Sequence, residues 1–202
     1  MARQLPPDLL VLAERQCGVV TKRQAAAAGL SRDAVACHVR YGRWQRLHPG
    51  VFATFSGGPG RLAVLWAAVL CAGPGAVLSY ETAAELAGLL TRPANLVHVT
   101  IPTNRRVGAR PGLVIHMSAR ALAALHPARL PSQTRVEETI LDLAGAARTI
   151  DDACAWPGEQ TDHARQAAPH PRASTRLDPP RITRSWTGPD RASSRRRLVP
   201  PR

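Results

Sequence analysis

The chain of 202 residues carries 27 Lys/Arg against 14 Asp/Glu, a formal net charge of +13, and an isoelectric point near 11.4. That length suits one ordinary domain or a small domain plus a second, and the charge favours a polyanionic partner over the balanced surface of a typical enzyme. The longest apolar run, residues 62–72, is far short of the ~20 residues that cross a bilayer, no signal-peptide core stands near the start, and the widely spaced Cys17, Cys37, Cys71 and Cys154 fit neither a disulfide framework nor a zinc ribbon.

The expectation is therefore a cytoplasmic protein with no membrane attachment, no bound metal and no cofactor. Lys22 is the single lysine. An arginine bias of this kind also follows from a GC-rich genome, which would equally explain the load of Ala, Gly and Pro, so the charge alone is only a pointer to nucleic acid.

In chain order, Asp8 is placed to cap a helix through Leu9, Leu12 and Ala13, apolar at i, i+3 and i+4, which Gly18 ends. Val19 and Val20 lead into Thr21, which stands three residues before Gln24 in capping-box spacing. A short helix from Lys22 to Ala28 follows, with alanine on its inner face. Gly29 supplies a left-handed turn, Leu30 a buried plug and Ser31 the cap of a third helix, Arg32 to about Tyr41, which stops at Gly42. Two helices joined by a tight Gly turn match helix-turn-helix spacing. Val35 and Val39 form the third helix's packing stripe, while Asp33, Ala36, Cys37 and Arg40 project from the other side. Next, Arg43 to Leu47 and Val51 to Ala53 predict two short strands around His48-Pro49-Gly50, a wing. The first 48 residues hold eight Lys/Arg against three Asp/Glu, a net +5.

Beyond residue 60 the texture changes. Arg61 to Ala72 predicts a helix apolar nearly all round, hence buried. Ser79 is placed to cap a helix from Tyr80 to Leu89, residues 97–101 and 113–117 read as strands, and residues 102–112 form a loop with Arg105, Arg106 and Arg110. Thr134 with Glu137 gives a second capping-box match, opening a helix to Arg148. A helix begun at Asp151 is cut at Pro157. Residues 157–202 then hold eight prolines and ten arginines with few large apolar residues. Such a stretch cannot offset its chain entropy by burial, so disorder is expected, and the abrupt break points to a frameshift or truncated gene, with a natural basic tail as the alternative.

The ordered motifs Gly18-Val19-Val20-Thr21-Lys22-Arg23-Gln24-Ala25, Gly29-Leu30-Ser31-Arg32 and Gly42 through Ala53 resemble the N-terminal domain of AbiEi-type antitoxins. Further matching stretches are Trp66 to Leu70, Ala76 to Ser79, Thr82 to Leu86, His98 to Pro102, Arg135 to Thr139 and Leu141 to Leu143, so the resemblance covers roughly residues 8–156. It implies a winged helix-turn-helix that represses its own operon in a type IV toxin–antitoxin system. Tyr80 departs from the pattern, standing where such proteins commonly have His. Long members of the group continue into a domain similar to very-short-patch-repair endonucleases, where acidic residues and a lysine hold a metal. Here the Arg/Pro stretch replaces that continuation and leaves no lysine for it.

No residue constellation argues for catalysis. The Gly-rich stretches 57–60 and 73–75 lack the Gly-Lys-Ser/Thr that cradles phosphate. His98 and His116, on neighbouring strands, are placed to face each other but have no carboxylate pattern beside them. Glu81 and Glu85, at i and i+4, suit a solvated helix face as well as a carboxylate pair.

The sequence thus predicts an α+β protein: a winged helix-turn-helix over 1–56, a small mixed helix/β-hairpin domain over 57–156 and a disordered basic tail over 157–202. Thr21, Arg23, Arg32, Arg40, Arg43 and Arg46 are the expected contacts to double-stranded DNA, with no catalytic, cofactor or metal residues. Two functions remain open. One is an autoregulating, antitoxin-type regulator, non-enzymatic, acting as a homodimer with a cognate toxin; the other is a truncated or inactive member of the endonuclease family.

Overall fold

The computed structural model describes residues 5–147. The expected tail and the helix cut at Pro157 lie outside the described residues. In chain order the elements are α1 (Pro7–Arg15), β1 (Val19–Thr21), α2 (Lys22–Ala27), α3 (Arg32–Arg40), β2 (Gln45–His48), β3 (Val51–Ala53), α4 (Arg61–Ala72), β4 (Val77–Leu78), α5 (Tyr80–Leu86), β5 (Val97–Ile101), β6 (Leu113–Met117) and α6 (Val136–Ala146). The α+β class holds.

Local signals set the first three helices. The capping box at α2 forms both bonds: the Thr21 hydroxyl accepts from Gln24 N at 3.1 Å and the Gln24 side chain accepts from Thr21 N at 2.7 Å. Ser31 caps α3 by accepting from Ala34 N at 3.1 Å. Asp8 behaves differently from its expected role. Pro6 occupies the cap position of α1 and Asp8 lies inside the first turn, where its charge still meets the positive end of the helix.

Val19 to Thr21 form a strand as well as a lead-in to the cap. β1 pairs antiparallel with β3, Val20 opposite Phe52, and β2 pairs with β3 from the other side, so the sheet order is β1-β3-β2. Leu9, Ala13, Val20, Ala25, Val35, Trp44 and Phe52 make one buried cluster beneath α1, α2 and α3.

The second sheet runs β4-β5-β6. β4 pairs antiparallel with β5, but β5 and β6 are parallel, Val97 beside Leu113 through Ile101 beside Met117. The hairpin expected from these two strands is therefore a crossover. The eleven-residue connection that looked like a hairpin loop instead returns along the strand before β6 starts. Parallel pairing needs such a long connection because the chain must travel back the full strand length.

α4 explains its own all-round apolarity. Ala63 and Ala67 face the first sheet, in a cluster with Val19 and Val51. Leu65, Ala68, Val69 and Ala72 face the second sheet, with Leu78, Val97, Val99 and Ile101. Two stripes at helical spacing bury opposite sides of one helix. The other face of the second sheet is polar. There Thr100 donates to the Ser79 hydroxyl at 2.8 Å, and Thr82 accepts from His98 N at 2.8 Å. The second capping box does not form. Arg135 holds the cap position of α6 without a side-chain bond, and the Thr134 hydroxyl pairs with that of Thr139 at 2.7 Å in the interior. A buried hydroxyl without a partner is costly, so Thr134 is drawn to its neighbour instead of to the helix end. Among the described residues no helix is long and apolar enough to cross a membrane.

Candidate nucleic-acid interface

α3 presents two unlike faces. Val35 is buried and Val39 half-buried against the core, while Arg32, Asp33, Ala36 and Arg40 are exposed; Cys37 is intermediate between the two. A nine-residue helix rises about 13 Å, enough to lay its exposed face along one stretch of major groove. Its rigidity comes from behind. His38 stacks on Trp44 with ring centroids 5.1 Å apart, Trp44 packs on Phe52 at 6.1 Å, and the His38 carbonyl accepts from both Arg43 N and Trp44 N. Burial and then the nearby Arg43 charge lower the His38 pKa, so this ring stays a neutral packing element near neutral pH.

The six residues expected to touch DNA occupy four elements and one connection. Thr21 ends β1 and caps α2, Arg23 lies in the first turn of α2, Arg32 and Arg40 at the two ends of α3, Arg43 on the link to the wing and Arg46 on β2. Arg23, Arg32, Arg40, Arg43 and Arg46 are all exposed. Thr21 is half-buried, and its oxygen already accepts the capping bond, which leaves its O–H free to donate. The ion pairs among the described residues involve Arg61, His98, Arg120 and Arg135 and none of these five arginines. Their charge is therefore available to an external anion.

Sequence reasoning missed Tyr41. It is 64% exposed, and the guanidiniums of Arg40 and Arg43 lie 5.8 and 5.6 Å from its ring centroid. An exposed aromatic held between two cations at the end of a helix suits stacking beside a phosphate. The signal was available, since Tyr41 stands between two of the arginines and just before Gly42. Arg46 has a similar support, lying over the Phe52 ring at 5.8 Å.

The loop arginines divide. Arg105 reaches back to donate to the Pro74 carbonyl, whereas Arg106 is exposed. Arg110 is half-buried and close enough to His48 of β2 for its charge to help burial lower that pKa.

A second titratable cluster lies on the polar face of the other sheet. His98 Nδ1 and His116 Nε2 are 3.1 Å apart, and Tyr80 stacks on His116 with centroids 3.9 Å apart. Tyr80 adopts φ +50 to reach this position. Glu81 Oε2 sits 3.9 Å from His98 Nε2, which favours the proton on that nitrogen and leaves Nδ1 to accept from His116. Burial lowers both histidine pKa values. Glu81 partly opposes this at His98, and His98 adds to it at His116. The two glutamates of α5 part company. Glu81 is exposed, whereas Glu85 binds Arg61 with both oxygens and accepts from Ala94 N at 3.1 Å, a clamp between α4, α5 and the loop at residue 94. Among the described residues no three His, Cys, Asp or Glu side chains gather as metal ligands.

Three helices backed by a three-stranded sheet, in the order α1-β1-α2-α3-β2-β3 with a tight β2–β3 turn, define the winged helix-turn-helix class. Residues 8–54, from α1 through the end of β3, match the model of the AbiEi_4 family, described as "Transcriptional regulator, AbiEi antitoxin". Over that stretch the chain is similar to the N-terminal region of a family of transcriptional regulators. No curated protein matches the chain. Among solved structures, the crystal structure of RV2827C protein from Mycobacterium tuberculosis is similar at 20% identity with a TM-score of 0.39, over 62% of this chain and 50% of that one. The chain thus spans about half the length of that relative. The point after Trp156 where an endonuclease-like continuation would begin lies outside the described residues.

Proposed function

We propose that this protein is a sequence-specific DNA-binding repressor of the antitoxin type, acting in the cytoplasm on its own operon. The observation that carries the proposal is the row of five exposed arginines outside every described ion pair, on α2, α3 and the wing of a winged helix. α3 lies in the major groove, with Arg32 and Arg40 at its ends, and small Ala36 lets the backbone approach the base edges. Arg23 and Thr21 hold one phosphate strand, Arg43 and Arg46 the other, and Tyr41 stacks between Arg40 and Arg43. Arg110 extends the phosphate track beside the wing. A homodimer reads two half-sites about one helical turn apart, and the cognate toxin is encoded in the repressed operon.

The test is a salt-titrated gel shift of the full chain on its own upstream DNA against scrambled DNA of equal length. Preference for the upstream DNA by at least about 100-fold, with affinity falling steeply as salt rises, is expected. Equal weak binding to both would overturn the repressor function. Arg40→Ala and Arg43→Ala should each weaken binding by about 1–3 kcal/mol without unfolding the protein. Unchanged affinity in both would refute the placement of α3 in the groove.

A further inference from the structure

A groove of about 750 Å³ runs between α2, the turn of the wing and the C-terminal half of α4. Its floor is apolar. The first sheet covers α4 fully at Ala63 and Ala67 but leaves Trp66, Leu70 and Cys71 half-buried along the same side, and these three line the groove. Its rim is cationic. Lys22 and Arg23 are both exposed, neither joins an ion pair among the described residues, and no carboxylate lines the groove.

The geometry points to a binding site for a small amphipathic anion, an apolar body on the Trp66–Leu70–Cys71 floor with a carboxylate or sulfonate head on Lys22 and Arg23. A DNA phosphate would satisfy the rim and leave the floor wet, and a neutral hydrophobe would do the reverse. The volume falls within the range of about 300–1,000 Å³ typical of small-molecule sites.

Occupancy has a consequence for regulation, which rests on the proposed DNA-binding function. Arg23 is one of the DNA contacts, and Lys22 N donates to the Gly50 carbonyl at 2.8 Å, tying the start of α2 to the wing. An anionic head on this pair of cations takes charge away from the DNA backbone and adds a repelling one. Ligand and operator therefore antagonise each other, and the effect is reciprocal. The ligand is an inducer.

The test uses the full chain with anilinonaphthalene sulfonate as the probe. Cys71 is a free thiol in the groove, and Cys17 is a free, exposed thiol outside it. Peptide-resolved alkylation by iodoacetamide should slow at Cys71 by about tenfold with the probe at ten times its Kd, while Cys17 is unaffected. Decanoate should protect Cys71 and decanol should not. Leu70→Glu, which places a negative charge on the floor, should weaken probe binding at least about tenfold. Equal slowing at both cysteines, no slowing at Cys71, or equal protection by decanol would overturn the site. Upstream DNA should displace the probe; simultaneous, independent binding would overturn the inducer role. If the chain bound no DNA, the repressor function would fail on its own while Cys71 protection still reported on the groove.

Discussion

Gly18 joins α1 to β1 with φ +79, and a Cβ there would lie 2.6 Å from Cε1 of the Phe55 ring. Its carbonyl also accepts from Thr54 N at 2.8 Å, so the backbone cannot move aside without breaking the β1–β3 edge. Gly18→Ala should cost about 1–3 kcal/mol, combining left-handed strain with overpacking, read as a lower denaturant midpoint with DNA affinity retained at low temperature. A helix-ending glycine was legible in the sequence; the Phe55 contact was not, because it links residues far apart in the chain. The same division holds for polar residues. Thr21 and Gln24 were legible as a capping pair since three residues of spacing decide it. Thr134 offered the same spacing and was captured by buried Thr139 instead, a competition that exists only once α6 has packed.

α4 packs against both sheets. Leu65 is fully buried on its second-sheet stripe, so Leu65→Ala should cost about 2–5 kcal/mol. Leu62, 48% exposed on the same helix, should change stability by no more than about 0.5 kcal/mol when replaced by Ala. Equal effects at both positions by chemical denaturation would contradict the orientation of the helix. Its span was readable from the sequence because eleven apolar residues in a row between Arg61 and Gly73 leave little choice. That it has a sheet on two sides was not, since an all-apolar helix has no moment to point with. β1 and β4 are three and two residues long, too short to show alternation, and only their pairing partners make them strands. β5 and β6 were visible as strands, but parallel or antiparallel pairing leaves no mark on either one alone.

Across the whole molecule, His38, His48, His98 and His116 all have pKa values below the ordinary 6.5, with burial the first cause in each. Unfolded, these rings take up protons near 6.5, while folded they stay neutral. The unfolded chain therefore holds more protons below that value, and stability rises with pH there. The contribution is complete above 6.5 and is lost as pH falls through the folded values. Asp142, raised by burial and then by Glu138, has the opposite sign, losing stability as pH climbs from 3.8. The denaturation midpoint should thus be level above 6.5 and fall as pH drops below it, and His116→Asn, which removes one of the four rings, should flatten the fall. A midpoint independent of pH over that range would refute the neutral, paired state of the His98–His116 contact. The facing groups are Tyr80 and Glu81 from α5, with Asp142 of α6 acting on Tyr80.

The sequence by itself determined the N-terminal helices, the wing, the α+β class and the basic character of the α2–α3–wing surface. Caps, turn glycines and helical spacing act over a few residues, and charge is additive whatever the fold. Tertiary structure alone decided which cations are free, that Arg40 and Arg43 share Tyr41, that Glu85 is consumed by Arg61, and that α4 leaves an open floor beneath Lys22 and Arg23. Each of these depends on distances between residues remote in the chain, fixed only when apolar burial brings the two sheets against one helix.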